Sequence, residues 1–388
     1  MKLPRPSRYT LPGAALLALV VGLPLVLGSP TPLASALGVV RTLPTDQAPI
    51  GLDVDPVVNR VYTANVLGNG EAGSYSIVDA NTGAITNVGV PNPQDVVVNP
   101  NTGKAYISTG DNHVLVVTRD NPTNIAKRIG VGTTPKWMAV NPQRNLIYVA
   151  LHNGDGVHVI DGNTDSATGF INLSDRDPVE PAVDIAANRL YVTAFNSSGR
   201  VAVVDTNTNN KIGDLGVRGD QFEIDVDQNT GRVFVASNDG AGGWVSAYDR
   251  NGNRIHERRL CTRVTGLVYN PNSDHVFVSC EYSEPPDERS RTTNVLRSDL
   301  ADVTIIRHSD MIPGPAMAVD ETRNLVYVGN TYSKVTNAGR IMTVIQDDGS
   351  SPPPTCPGSA ATDASTPVVS ATAPRVLMPL ISKGASGC

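Results

Sequence analysis

Cysteine is scarce in this chain: four residues in 388, at Cys261, Cys280, Cys356 and Cys388. No two of them form a C-x-x-C pair, so zinc-ribbon and thioredoxin-type readings find no support. Histidine is equally sparse, and none of the six is spaced from another like a pair of metal ligands. Neither G-x-S-x-G nor H-E-x-x-H occurs, so no catalytic residue is assigned from a motif. Positive charge is in deficit, with 31 Lys+Arg against 37 Asp+Glu and a net charge of −6. That balance argues against nucleic acid and anionic membrane as partners, because both select clustered Lys and Arg. No window holds a sustained helical period.

Long apolar runs are also missing, apart from one near the start. Lys2, Arg5 and Arg8 precede an apolar stretch from Ala14 to Leu27 that Pro24 interrupts, and Ala34-Ser35-Ala36 follows. A basic region, an apolar region and an A-x-A site read as a secretory signal over residues 1–36, with the mature chain starting at Leu37. The expected location is secreted or cell-surface, with no transmembrane anchor. Losing residues 1–36 removes those three basic residues and no acid, which leaves 28 Lys+Arg against 37 acids, a net charge of about −9. An even cysteine count in an exported chain points to disulfides.

What the sequence has in abundance is repetition. An aromatic residue recurs at Tyr62, Tyr106, Tyr148, Tyr191, Phe234, Phe277 and Tyr327, at intervals of 44, 42, 43, 43, 43 and 50 residues. Each lies in a short β-type run such as Leu146-Ile147-Tyr148-Val149. A period of 40 to 45 residues is the length of one four-stranded propeller blade. The third copy reads as strands Pro135 to Pro142, Leu146 to Ala150, Val157 to Asp161 and Ala167 to Asn172, punctuated by Gly, Asn, Asp and Pro. The expectation is an all-β fold: a seven-bladed β-propeller of four-stranded antiparallel blades over residues 37–348. A Pro/Ser/Ala/Thr-rich disordered tail with a short apolar segment is expected over 349–388.

Ile129-Gly130-Val131-Gly132-Thr133-Thr134-Pro135, followed by Val140-Asn141-Pro142 and Ile147-Tyr148-Val149, resembles the YVTN-type β-propeller repeat family. The resemblance runs over about residues 38 to 347. It implies the fold of exported and surface-layer propellers, with similarity to lactonase-like ones, and it carries no catalytic residue onto a numbered position.

The last copy lacks an outer strand, while Val39 to Leu43 aligns with the outer strands of other copies. The N-terminal strand is therefore expected to complete the last blade beside Ile341 to Gln346, which removes open sheet edges.

The inner strand of each blade lines a central channel, and period-2 alternation sends one set of residues toward it. Aligning Ile185-Ala186-Ala187 with Val140-Asn141-Pro142 puts Asp53, Asp95, Asp184, Glu223 and Asp225 in that set. Such oxygen ligands suit Ca²⁺ or Mg²⁺; the alternative is that each acid bonds neighbouring backbone or channel water. Loops Val66 to Gly73, Glu281 to Arg291 and Thr331 to Asn337 are expected on one rim, with Lys136, Trp137 and Arg263 as candidate ligand-binding residues there. Packing between blades is the competing role for Trp137. Cys261 and Cys280 are expected at the same rim and joined by a disulfide.

Two functions compete. The first is a monomeric binding or scaffold protein for a small molecule or surface protein. The second is a lactonase-like hydrolase using channel-mouth carboxylates, with or without a metal. The absence of catalytic motifs favours the first.

Overall fold

The computed structural model describes residues 37–66, 73–174, 177–195, 199–281, 291–308, 311–333 and 340–348. The expected signal segment 1–36, the tail 349–388 with Cys356 and Cys388, and most of the three long loops lie outside these residues. Twenty-eight strands form seven four-stranded antiparallel sheets, and no helix occurs among the described residues. Blade 1 spans residues 48–90, blade 2 93–130, blade 3 135–172, blade 4 178–216, blade 5 220–261 and blade 6 264–307. In the third blade the strands are Pro135–Asn141, Leu146–Leu151, Gly156–Asp161 and Ser166–Asn172, close to the expected bounds.

The seventh blade takes three strands from one end of the propeller segment and one from the other. Gly38–Pro44 pairs with Ile341–Gln346, with Gly38 opposite Gln346 and Pro44 opposite Ile341. Leu43 from the N-terminal strand is 4% exposed and joins the cluster between blades 7 and 1.

The seven repeated aromatics explain why the blades form a ring. All are buried, none more than 1% exposed. Each sits on the second strand of its blade and packs into the hydrophobic cluster it shares with the following blade. Tyr62 meets Val96, Val98 and Ala105; Tyr148 meets Val183, Leu190 and Val192; Tyr327 meets Leu52, Val54 and Val61 and so joins the last blade to the first. Among the described residues there are seven clusters, one per junction, rather than one central core. Burying one such ring contributes about 1.5–3 kcal/mol.

A second repeated position locks the turn after each inner strand. Seven residues before every aromatic stands an Asp or Asn: Asp55, Asn99, Asn141, Asp184, Asp227, Asn270 and Asp320. All are buried. In each, the side-chain Oδ1 accepts a backbone N–H two or three residues on, as with Val57, Asn101, Ala187 and Arg323. The side chain thereby satisfies a donor that the tight turn leaves unpaired. The aspartates that end the third strands behave likewise: Asp79, Asp161, Asp205 and Asp249 accept from Asn81, Asn163, Asn207 and Asn251.

Cys261 and Cys280 are bonded, with Cα atoms 6.3 Å apart and 19 residues of separation. The link joins the end of the outer strand of blade 5 to the end of the second strand of blade 6. Closing a loop of this length stabilises by about 3 kcal/mol in the chain-entropy model. Replacing both cysteines by serine should lower the melting temperature by several degrees, read by calorimetry without reductant. An unchanged transition would mean that the neighbouring strands already fix this rim.

Candidate functional site

Every inner strand has one edge paired with the second strand and one edge turned toward the channel and the adjacent blade. The N–H groups on that free edge need acceptors. Four acids supply them across blade boundaries. Asp53 Oδ2 accepts from Val98 N at 2.7 Å, and Asp95 Oδ2 from Met138 N at 2.9 Å. Glu180 Oε2 accepts from Ile224 N at 3.2 Å, and Asp225 Oδ2 from Tyr269 N at 2.8 Å. Each carboxyl thus staples one blade to the next. These are the backbone bonds named above as the alternative to metal ligation.

The residues line a cavity of about 320 Å³ along the axis, to which all seven blades contribute. Burial raises the pKa of Asp53, Asp95, Asp225, Glu180 and Glu223, against the hydrogen bonds that favour ionisation of most of them. Asp53 is pushed up to about 7, Asp95 to about 8 and Asp225 to about 6. Glu180 and Glu223 hydrogen-bond to each other, which requires a proton on one of them. Burial lifts both well above the usual carboxylate range, and for Glu223 repulsion from Glu180 adds to it.

The structure corrects one member of the expected set and adds another. Asp184 does not face the channel. It is the turn-locking residue of blade 4, fully buried, and its Oδ2 lies 3.0 Å from Arg250 Nε. Aligning Ile185-Ala186-Ala187 with Val140-Asn141-Pro142 moved blade 4 by two residues. The pairing of Asp184 with Arg189 and Ala182 with Tyr191 fixes the register, and Glu180 then takes the channel position. The spacing of seven residues from turn-locking Asp or Asn to aromatic, constant in all seven copies, was the signal that finds Glu180.

Nor do these carboxylates form a cation site. Among the described residues no three His, Cys, Asp or Glu side chains are grouped to hold a metal ion. Asp53, Asp95 and Asp225 each point their oxygens at backbone N–H groups of their own or the next blade. The residues therefore do not fit the Ca²⁺ or Mg²⁺ that the lactonase-like reading allows.

The rim at the start of the inner strands has a different chemistry. The Lys136 ammonium lies 5.0 Å from the centre of the Trp137 ring, and Trp137 lines the channel cavity half-buried. Burial lowers the Lys136 pKa. His152 Nδ1 lies 2.8 Å from Asp177 Oδ1. Its ring meets Phe195 edge-on at 6.2 Å, and Phe195 meets Phe222 edge-on at 5.4 Å. The Arg263 guanidinium lies over Phe222 at 5.6 Å and 3.3 Å from Glu281. The result is a track of rings and cations across blades 3 to 6. Phe195 is 46% exposed, unusual for a ring of that size.

Lys136 and Trp137 thus stand together at the channel mouth, and Arg263 stands farther along the same rim. His152, Phe195 and Phe222 were absent from the expected set. The order of His152 and Phe195 follows from the repeat: His152, Phe195, Asn238 and Glu281 are 43 residues apart, as are Thr134, Asp177, Asp220 and Arg263. The two series are tied by backbone bonds from His152 N to Thr134 O, Phe195 N to Asp177 O and Glu281 N to Arg263 O.

No family model matches the chain, and no curated protein matches it. The solved structure of Kuenenia stuttgartiensis hydrazine synthase is similar, with a TM-score of 0.62 at 17% identity, over 79% of this chain and 97% of that one. Likeness at that identity carries the propeller fold and no chemistry. The YVTN-type assignment continues to rest on the repeat motifs alone.

Proposed function

We propose that this chain is an exported propeller that binds a small molecule or a surface protein through the rim of blades 3 to 6. The single observation behind this reading is the ring-and-cation track from Trp137 and Lys136 through Phe195 and Phe222 to Arg263. Exposed aromatics beside Arg on a rigid scaffold are the composition of binding hot spots. The channel acids serve to hold the ring together. Export rests on the expected signal segment and agrees with the Cys261–Cys280 bond.

A thermal-shift screen of a small-molecule library tests the reading. Compounds that raise the melting temperature of the wild type should lose their effect in Phe195→Ala/Arg263→Ala and keep it in Val57→Ser, at an exposed turn between the first two strands of blade 1. Hits that survive the rim variant, or an empty screen, would overturn it.

The hydrolase reading retains one supporting observation, the hydrogen-bonded carboxyl pair of Glu180 and Glu223, which sets an acid beside a base. Turnover of a lactone by the wild type that Glu223→Gln abolishes would put this reading first.

A further inference from the structure

Between blades 4, 5 and 6 the rim opens into a cleft of about 440 Å³, walled by Phe195, Phe222, Asp220, Asn238, Asp239 and Arg263. What it selects can be read from which of its polar groups are already engaged. Asn238 is engaged through both amide atoms: its Nδ2 donates to Val264 O and its Oδ1 accepts from Val264 N, both at 2.9 Å. Asp239 is likewise engaged. Its Oδ1 accepts from Trp244 Nε1, Ala241 N and Gly242 N, and its Oδ2 faces Arg218 at 3.5 Å. The Trp244 bond, aided by the backbone and Arg218, holds this carboxyl below the ordinary range despite some burial. Arg263 has its counter-charge in Glu281.

Asp220 is different. Among the described residues its carboxylate has no hydrogen-bond or ion-pair partner, and its Oδ1 is buried without a donor. A half-buried carboxylate with no partner costs free energy that a ligand cation would recover. Among the described residues the one uncompensated charge in the lining is therefore negative, and it stands beside two edge-to-face phenyl rings, of which Phe222 already carries Arg263 over its face and Phe195 is largely open to solvent.

Building on the rim reading, we infer that this cleft binds an organic ammonium ligand with a flat or apolar body. The ammonium pairs with Asp220, and the body lies against Phe195 and Phe222. Arg263 and Glu281 close the outer side as an exposed ion pair, 54% and 38% exposed, which contributes little to affinity by itself.

Three probes that share a ring and differ in charge test this: benzylammonium, benzyl alcohol and benzoate. Affinities are measured by ligand-observed NMR titration at neutral pH and low salt. Benzylammonium should bind at least tenfold more tightly than benzyl alcohol, and benzoate should bind most weakly. Asp220→Asn should erase the difference between the first two, while Phe195→Ala should weaken both. The wild-type series needs no variant, so a folding defect in Asp220→Asn would leave the inference testable. Equal binding of the three, a preference for benzoate, a preference that survives Asp220→Asn, or no binding of benzylammonium would each overturn it. If benzyl alcohol or benzoate binds best and Phe195→Ala abolishes that binding, the cation assignment falls while the rim reading stands. If no probe binds, the library screen on Phe195→Ala/Arg263→Ala decides the rim reading separately.

Discussion

Removing residues 37–45 should open the ring and lower the melting temperature by about 10 °C or more, or abolish the cooperative transition. The deleted segment supplies the entire outer strand of blade 7, whose pairing runs from Gly38 to Pro44. It also removes Leu43 from the cluster that holds Tyr327 against Leu52 and Val54. Losing a buried leucine alone costs about 2–5 kcal/mol, and each lost ladder bond adds about 1 kcal/mol. The sum is of the order of a whole domain's stability. The damage should also spread, because a repeat ring is held by nearest-neighbour junctions and the 7–1 junction closes it. Calorimetry of the truncated chain checks this. A transition within 2–3 °C of the full propeller would mean that three strands suffice to close blade 7.

The second large effect concerns pH. Asp53, Asp95, Asp225, Glu180 and Glu223 all have folded-state pKa values raised by burial. A raised carboxyl holds a proton in the folded state at a pH where the unfolded chain has released it. Its contribution to stability is complete below the unfolded value and is lost as pH rises through the folded one. For Asp53 and Asp95 that loss begins where the unfolded carboxyl ionises, near pH 4, and is complete near pH 7 to 8. His152, His158 and His308 have pKa values lowered by burial, so their contribution is lost on the acid side. The interval from pH 6.5 to 9 therefore isolates the channel acids. The melting temperature should fall across it, by on the order of 5 °C. Asp95→Asn gives the sharper test. The amide oxygen still accepts the Met138 N–H, yet carries no charge to bury. The variant should melt above the wild type at pH 6.5 and by a wider margin at pH 9. Equal melting curves at both pH values would show that Asp95 ionises without cost.

Much of the architecture was legible because each blade obeys the same local chemistry. The aromatic period set the blade count, and Gly, Asn, Asp and Pro marked the turns. The incomplete last repeat pointed to closure by Val39 to Leu43. The pairing of Cys261 with Cys280 followed from the same rim geometry.

The site was less legible for two physical reasons. First, blade 4 lacks the Asn-Pro ending of its neighbours, so matching letters at Ile185-Ala186-Ala187 moved the strand by two residues. A slip of two turned the pair Glu180 and Ala182 into Ala182 and Asp184, which lost the channel acid Glu180 and put the turn-locking Asp184 in its place. Counting back from Tyr191 avoids the slip. Second, the contacts His152–Phe195, Phe195–Phe222 and Phe222–Arg263 cross blade boundaries. Their proximity is set by ring curvature, which no local pattern encodes. Only the shared 43-residue phase of His152 with Phe195, and of Asp220 with Arg263, reports it; Phe222 lies outside both series.

The strand exchange in blade 7 has a mechanical consequence. Because Gly38 lies opposite Gln346 and the two strands run antiparallel, the two ends of the propeller segment leave from the same end of one hairpin-like pair. Tension applied between them acts across the ladder rather than along it. The bonds then load one at a time, like a zipper, instead of sharing the force as strands sheared past each other do. A propeller tethered at one end and pulled by cargo elsewhere on the ring is spared this loading. One stretched between both ends would peel at the 38–346 pair first, with the disulfide-linked blades 5 and 6 still closed.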